Sequence, residues 1–243
     1  MTAAPGIALL AKSDLDPAIF IGLIGFAVFI FCAAFVYDKK REEARRRAIA
    51  DWAAKRGAKL VVDAAIDAPA FRWPFFQTGR RRKVASVVER AAPNGGPRFR
   101  IFRFVFVTGG GKNKRTHRFV CAMTEEGAAA GDGRRRMPTV EVRPRRFTDT
   151  IGGWFGGGGM KFPDDPAFGD ALRIDTDDES AAAAFLDRGL KSALLSDADP
   201  SWSGFGGGSA FVAIKNTGSP ETYDDAERRL LRLHQAVVAR LTR

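Results

Sequence analysis

Positions 17–37 read PAIFIGLIGFAVFIFCAAFVY without a single charge. At ~1.5 Å per residue such a helix reaches about 30 Å, the thickness of a bilayer's hydrocarbon core. Phe and Ile recur all round its surface, which no half-buried helix of a soluble domain requires. The pattern predicts a transmembrane helix over 17–37. Residues 38–58 change character. Up to Arg56 they hold no Gly or Pro and many helix formers. Glu42 with Arg46, and Glu43 with Arg47, stand at i,i+4 in the favourable order. Ala44, Ala48, Ile49 and Trp52 recur at helical spacing, and Gly57 supplies a C-terminal cap. A basic juxtamembrane helix is therefore expected to continue the span.

From residue 59 the apolar period drops to that of strands. Strands are predicted over 59–62, 84–90, 98–107, 116–124 and 139–143. Turn-rich runs at 91–97 and 109–113 separate them, so neighbours pair antiparallel. In 116–124, His117, Phe119, Cys121 and Met123 share one face, and Thr116, Arg118, Val120 and Ala122 the other. The aromatic run at 72–76 is expected to bury against the domain. Residues 148–169, with glycines at 152–153 and 156–159, read as a loop-rich insertion. A strand at 172–175 follows, then a helix from a capping box at Thr176…Glu179 to about Leu195. A hairpin folds around Gly206, Gly207 and Gly208. The last helix starts at Ser219-Pro220 and puts Ala226, Leu230, Leu233, Val237 and Leu241 on one face. The fold class is α+β: a transmembrane helix and helical stalk, then a mostly antiparallel sheet with packed helices, including an amphipathic C-terminal one. About 185 residues from 59 to 243 suffice for one domain with its own core.

Charge adds orientation. The chain carries a formal +11. Lys39, Lys40, Arg41, Arg45, Arg46 and Arg47 follow the apolar run, whereas residues 1–16 hold Lys12 as their one basic side chain. The positive-inside bias puts the short tail 1–16 outside and 59–243 in the cytoplasm. Asp14 and Asp16 before the run, its length, and no A-x-A site after it argue against a cleaved signal peptide. Ala18 and Gly22 make one small-xxx-small pair of the kind that supports helix dimers, so a homo-oligomer stays open. Two cysteines, Cys32 in the span and Cys121 in a strand, are placed too far apart to pair, which fits a reducing compartment.

Candidate chemistry is sparse. The 109–118 turn offers consecutive glycine amides with Lys112, Lys114, Arg115 and Arg118, an anion- or lipid-binding candidate together with the juxtamembrane cations. It lacks the P-loop spacing and leads into a strand, so the plainer reading is a solvated hairpin tip. His117 and Cys121 lie on one strand face about 13 Å apart at ~3.3 Å per residue, too far to form a dyad. His234 reads as a packing or surface residue on the last helix. The acidic residues Asp164, Asp165, Asp170, Asp175, Asp177, Asp178 and Glu179 lack EF-hand spacing. They are expected to cap helices or to neutralise Arg134, Arg135 and Arg136. Trp154 and Phe155, set between glycines, are candidates for an interface. No catalytic residue, cofactor site or metal site is assigned.

One resemblance adds context. The basic Gly-Arg-Arg-Arg-Lys run at 79–83, the Thr-Gly-Gly-Gly-Lys run at 108–112, Arg-Thr-His-Arg at 115–118, Met137-Pro138 and the Phe-Pro-Asp-Asp-Pro-Ala-Phe run at 162–168 together resemble a group of bacterial membrane-anchored proteins with an N-terminal helix. No activity is assigned to that group. The resemblance implies a bacterial inner-membrane protein and transfers no catalytic residue.

The leading functional reading is a membrane-anchored cytoplasmic binding or scaffold domain, contacting a protein partner or the anionic headgroups of the bilayer. A membrane-bound enzyme acting on a phosphorylated or lipid substrate is second, and needs a concave site with convergent polar groups. A nucleic-acid binder is third. The charge permits it, but membrane tethering and missing motifs disfavour it.

Overall fold

The computed structural model describes residues 17–61, 73–92, 96–124, 137–145, 159–196, 201–216 and 218–242, with backbone alone for 17–20. Trp154, Phe155, the tail 1–16, the glycines at 152–153 and 156–158, and Arg134, Arg135 and Arg136 lie outside the described residues. The chain divides into two units, Met1–Arg46 and Arg47–Arg243.

The first unit is built on helix α1, Pro17–Lys55, which runs without interruption from the apolar segment through the basic one. It is long and apolar enough to cross a membrane. The side chains from Ile21 to Tyr37 are exposed, a state that water does not tolerate for a surface so rich in Phe and Ile. Glu42 pairs with Arg45 at 2.7 Å and more distantly with Arg46 at 3.9 Å. The expected Glu43–Arg47 pair does not form among the described residues.

The second unit takes in the last turns of α1, where Ile49, Trp52 and Ala53 are buried in its core. Gly57, at φ +62°, ends the helix. There the Ala58 amide donates to the Ala53 carbonyl at 2.9 Å and the Gly57 amide to Ala54 at 3.1 Å. An eight-stranded sheet follows, with β1 at Lys59–Val61, β2 at Arg80–Ala91, β3 at Arg98–Thr108, β4 at Arg115–Thr124, β5 at Val140–Pro144, β6 at Leu172–Thr176, β7 at Trp202–Gly206 and β8 at Ser209–Lys215. Its order is β1-β2-β3-β4-β8-β7-β5-β6, and every pairing is antiparallel. The α+β architecture is as the sequence pattern predicts.

Both faces of the sheet are covered. On one face, Phe99, Ile101, Val120, Ala122, Val140 and Val212 pack under α6, Pro220–Leu241, through Tyr223, Ala226, Leu230, Leu233 and Val237. On the other, Phe102, Phe104, Phe106, Phe119 and Phe211 meet Trp73, Phe75 and Phe76. Those three rings are delivered by the short helix α2, Pro74–Gln77, and by Trp73 at its N-cap. Of the 72–76 run, Trp73, Phe75 and Phe76 bury while Pro74 stays exposed, and the three rings are the lid of a second, aromatic core. The predicted faces of β4 hold: Phe119 and Cys121 point to that core, Val120 and Ala122 to the helices.

Three details differ from expectation. Strand β2 begins at Arg80, four residues before the apolar alternation starts. Ladder pairs to β3 carry it through two bulges, where Arg81 and Ser86 adopt φ of 52° and 54°. The single helix expected after Thr176 is two, α4 at Glu179–Phe185 and α5 at Arg188–Leu195. Asp178, not Thr176, caps the first by accepting from the Ala181 amide at 2.9 Å. Asp187 interrupts the helix because its carboxylate caps the second, accepting from the Leu190 amide at 2.9 Å. The loop-rich 148–169 stretch ends in helix α3, Pro166–Ala171, capped by Asp165.

Candidate anion-binding surface

The hairpin between β3 and β4 closes through a tight turn. Gly109, at φ +71°, opens it, and a Cβ there would stand 2.3 Å from the Asn113 carbonyl oxygen. A 3-10 turn at Gly111–Asn113 follows, and the strand resumes at Arg115. Gly109→Ala is expected to cost about 1–3 kcal/mol, since the turn must open and the left-handed backbone is strained. Urea unfolding of the full chain reads that cost as a lower midpoint.

Lys112, Lys114, Arg115 and Arg118 are all exposed on this turn and the start of β4. Pairing brings a second basic run beside them. Arg80 stands opposite Val107, Lys83 opposite Val105, and Val105 opposite Arg118. Lys83 and Arg118 thus flank Val105 on one face of three adjacent strands. Arg80, Arg81, Arg82 and Lys83 are exposed, and the Arg82 guanidinium also donates to the Gln77 carbonyl. Among the described residues, none of these eight cations has a carboxylate within ion-pair distance. The run at 80–83 was visible in the sequence as a charge block, but its place beside the turn depends on the β2–β3 register.

The juxtamembrane cations occupy α1 instead. Lys39, Lys40, Arg41, Arg46 and Arg47 are exposed, and Arg45 is half-buried against Glu42.

Most of the other polar groups singled out in the sequence have local partners. His117 is buried, stacks on Phe106 and lies 2.7 Å through Nε2 from the Thr108 hydroxyl. Burial, with Lys215 and Arg115 nearby, holds its pKa below the ordinary value. Burial pushes the Cys121 thiol well up. Burial likewise lowers His234, whose Nδ1 has no hydrogen-bond partner among the described residues. The acidic residues act one by one. Asp165 caps α3 and contacts Lys191 at 3.4 Å, Asp177 accepts from the Thr139 amide at 3.0 Å, and Asp175 pairs with Arg143 and Arg173. No cluster fit to hold a metal ion occurs among the described residues. An open groove of about 490 Å³ along α6 carries Arg56, Arg90, Arg228 and Arg232, yet Asp224 and Glu227 neutralise the first two at 2.6 Å each.

One buried polar group was not singled out by the sequence. Glu141, on β5, is 2% exposed and accepts from the Phe75 amide at 3.1 Å and from Trp202 Nε1 at 2.9 Å. Arg143 beside it is 3% exposed, pairs with Asp175 and lies 5.4 Å from the Trp202 ring centroid. This cluster pins α2, and so the aromatic core, to the sheet.

No protein-family model matches the chain, and no curated protein matches it. Among solved structures it is similar to the mycobacterial trehalose monomycolate transport factor A, with 12% sequence identity over 79% of this chain and 93% of that one and a TM-score of 0.49.

Proposed function

We propose that this is a single-pass protein of a bacterial inner membrane, with its N-terminus outside and its globular unit a non-catalytic binding domain on the cytoplasmic side. That domain contacts an anionic lipid headgroup or a protein partner. The observation that carries the reading is helix α1. Its charge-free side chains from Ile21 to Tyr37 are exposed, its next turns hold the Lys39 to Arg47 cations, and its last turns anchor Ile49, Trp52 and Ala53 in a folded core. An apolar surface of that size needs lipid around it, and the cations after it favour the cytoplasmic side. The burial of both His117 and Cys121, and the contact of His117 with the Thr108 hydroxyl, support structural roles for the two.

Two measurements test this in cells expressing the full chain. The protein is expected to stay with membranes through carbonate extraction. An impermeant maleimide is expected to label a Lys12→Cys variant in intact spheroplasts and a Lys112→Cys variant only after lysis. Release by carbonate overturns the anchor. The reverse labelling pattern overturns the orientation.

A further inference from the structure

We infer that the basic run at 80–83 and the turn at 109–118 form one docking surface for a phospholipid bilayer rich in anionic headgroups. The inference rests on the membrane-anchored reading and gives its binding domain a site. Several cations elsewhere on the globular unit are matched, Arg56 with Asp224, Arg90 with Glu227, Arg100 with Glu89 and Lys191 with Asp165, and those without a carboxylate among the described residues, such as Lys59, Arg98, Lys161 and Arg188, are not part of a basic run like 80–83. At this end of the sheet the eight exposed cations stand without carboxylates among the described residues. Their self-repulsion is a standing cost that an anionic surface would relieve.

Arginine and lysine on a sheet edge also deter strand-to-strand aggregation, and that explains some charge on β2. It does not explain Lys112, Lys114, Arg115 and Arg118, which sit at the β3–β4 turn.

The occupant follows from what surrounds the charge. Single-stranded nucleic acid is gripped by exposed aromatic platforms. Here Phe104, Phe106 and Phe119, the rings of the same strands, are at most 1% exposed and face the inner core. What lies between the cations is small and not aromatic: Val105 and Val107, half-buried, and Thr116, exposed opposite Val107. Diffuse positive charge around small side chains suits a headgroup layer, where each basic residue adds to the attraction and salt screens it. The chain's own apolar helix keeps the domain among such surfaces.

The test uses the full chain embedded in phosphatidylcholine nanodiscs. Those discs are mixed with vesicles of phosphatidylcholine alone or with phosphatidylglycerol, and capture is measured by flotation across a salt series. Amide exchange of the 109–114 turn is followed in parallel, also in discs that contain phosphatidylglycerol. Expected are capture by the anionic vesicles only, slower exchange at the turn in an anionic bilayer, and loss of both at high salt. Charge reversal at Arg82, Lys112 and Lys114 is expected to weaken capture about tenfold or more. A chain that enters neutral discs yet shows neither capture nor protection overturns the docking surface and leaves the anchor standing. A chain that fails to enter discs but is captured, salt-dependently, by anionic vesicles alone supports the surface and overturns the anchor. Protection of the turn by an oligonucleotide and not by anionic lipid overturns the inference in favour of nucleic acid.

Discussion

Replacing Phe75 with alanine is expected to remove about 3–5 kcal/mol from the stability of the globular unit. Phe75 is fully buried at the centre of the aromatic core. Its ring lies 4.5 Å from Trp202, 4.9 Å from Phe76, 5.1 Å from Phe119, 5.5 Å from Phe104, 5.8 Å from Phe211 and 6.3 Å from Phe106. Several of these pairs meet edge to face, the arrangement that adds to plain burial. Rings held from both the sheet and α2 cannot close over the space a missing phenyl leaves, so the cavity stays. A domain's whole stability is about 5–15 kcal/mol, so the variant should sit near its unfolding limit. Urea unfolding of the full chain in detergent, followed by tryptophan fluorescence, reads the loss. A shift below about 1 kcal/mol would mean that the face under α2 is loosely packed. Phe104, Phe106 and Phe119 lie on β3 and β4, the strands that carry the basic turn. Loosening this core should therefore also speed amide exchange at 109–114.

Much of this architecture is legible in the chain. The apolar run fixes α1, the period-two alternation and glycine turns fix β3, β4, β7 and β8, and Ser219-Pro220 fixes the start of α6. These are local signals, and local physics produces those elements. Where expectation failed, a competing local interaction or a distant contact decided the outcome. Asp187 breaks a helix that composition alone would continue, because its carboxylate caps the next turn. The pattern Thr-Val-Glu-Val-Arg at 139–143 looks like a strand with one solvated face. Its charges are buried because Phe75, 66 residues away, and Trp202, 61 residues away, close over them. Strand order is the same kind of fact. Nothing in the periodicity of β4 says that β8 lies beside it. For the basic surface the residue types were readable, but the join between 80–83 and 112–118 exists only in the β2–β3–β4 register.

The Glu141 contacts make the second large prediction. Glu141→Ala leaves the Phe75 amide and Trp202 Nε1 without their acceptor, and it takes one carboxylate from beside the buried Arg143. Removing one partner from a buried charge pair costs about 3–5 kcal/mol. In the unmodified chain burial lowers the Arg143 pKa to about 10 against the opposing pull of Glu141, so at neutral pH the guanidinium is charged and loses a counter-charge in the variant. Glu141→Gln keeps one acceptor oxygen, so one N–H donor faces an amide N–H instead, and the loss should be nearer 1–3 kcal/mol. The two variants also separate in pH. Burial raises the Glu141 pKa above its ordinary 4.5, against the pull of the Phe75 amide, Arg143 and Trp202. The native state then holds this proton more tightly than the unfolded chain does. The carboxyl's contribution is fullest below pH 4.5 and is lost as pH rises through its raised native value. Asp225, whose pKa is lowered by Arg229 and Arg228, works in the opposite sense: its contribution is present above its ordinary value and lost as pH falls. Subtracting the Glu141→Gln curve from that of the unmodified chain cancels Asp225 and similar groups. The remaining difference should fall as pH rises from about 4.5. A difference that rises instead would mean that the two N–H donors and Arg143 outweigh burial. Glu141 would then be an ionised keystone of the aromatic core, and not a carboxyl that the core holds at the expense of its charge.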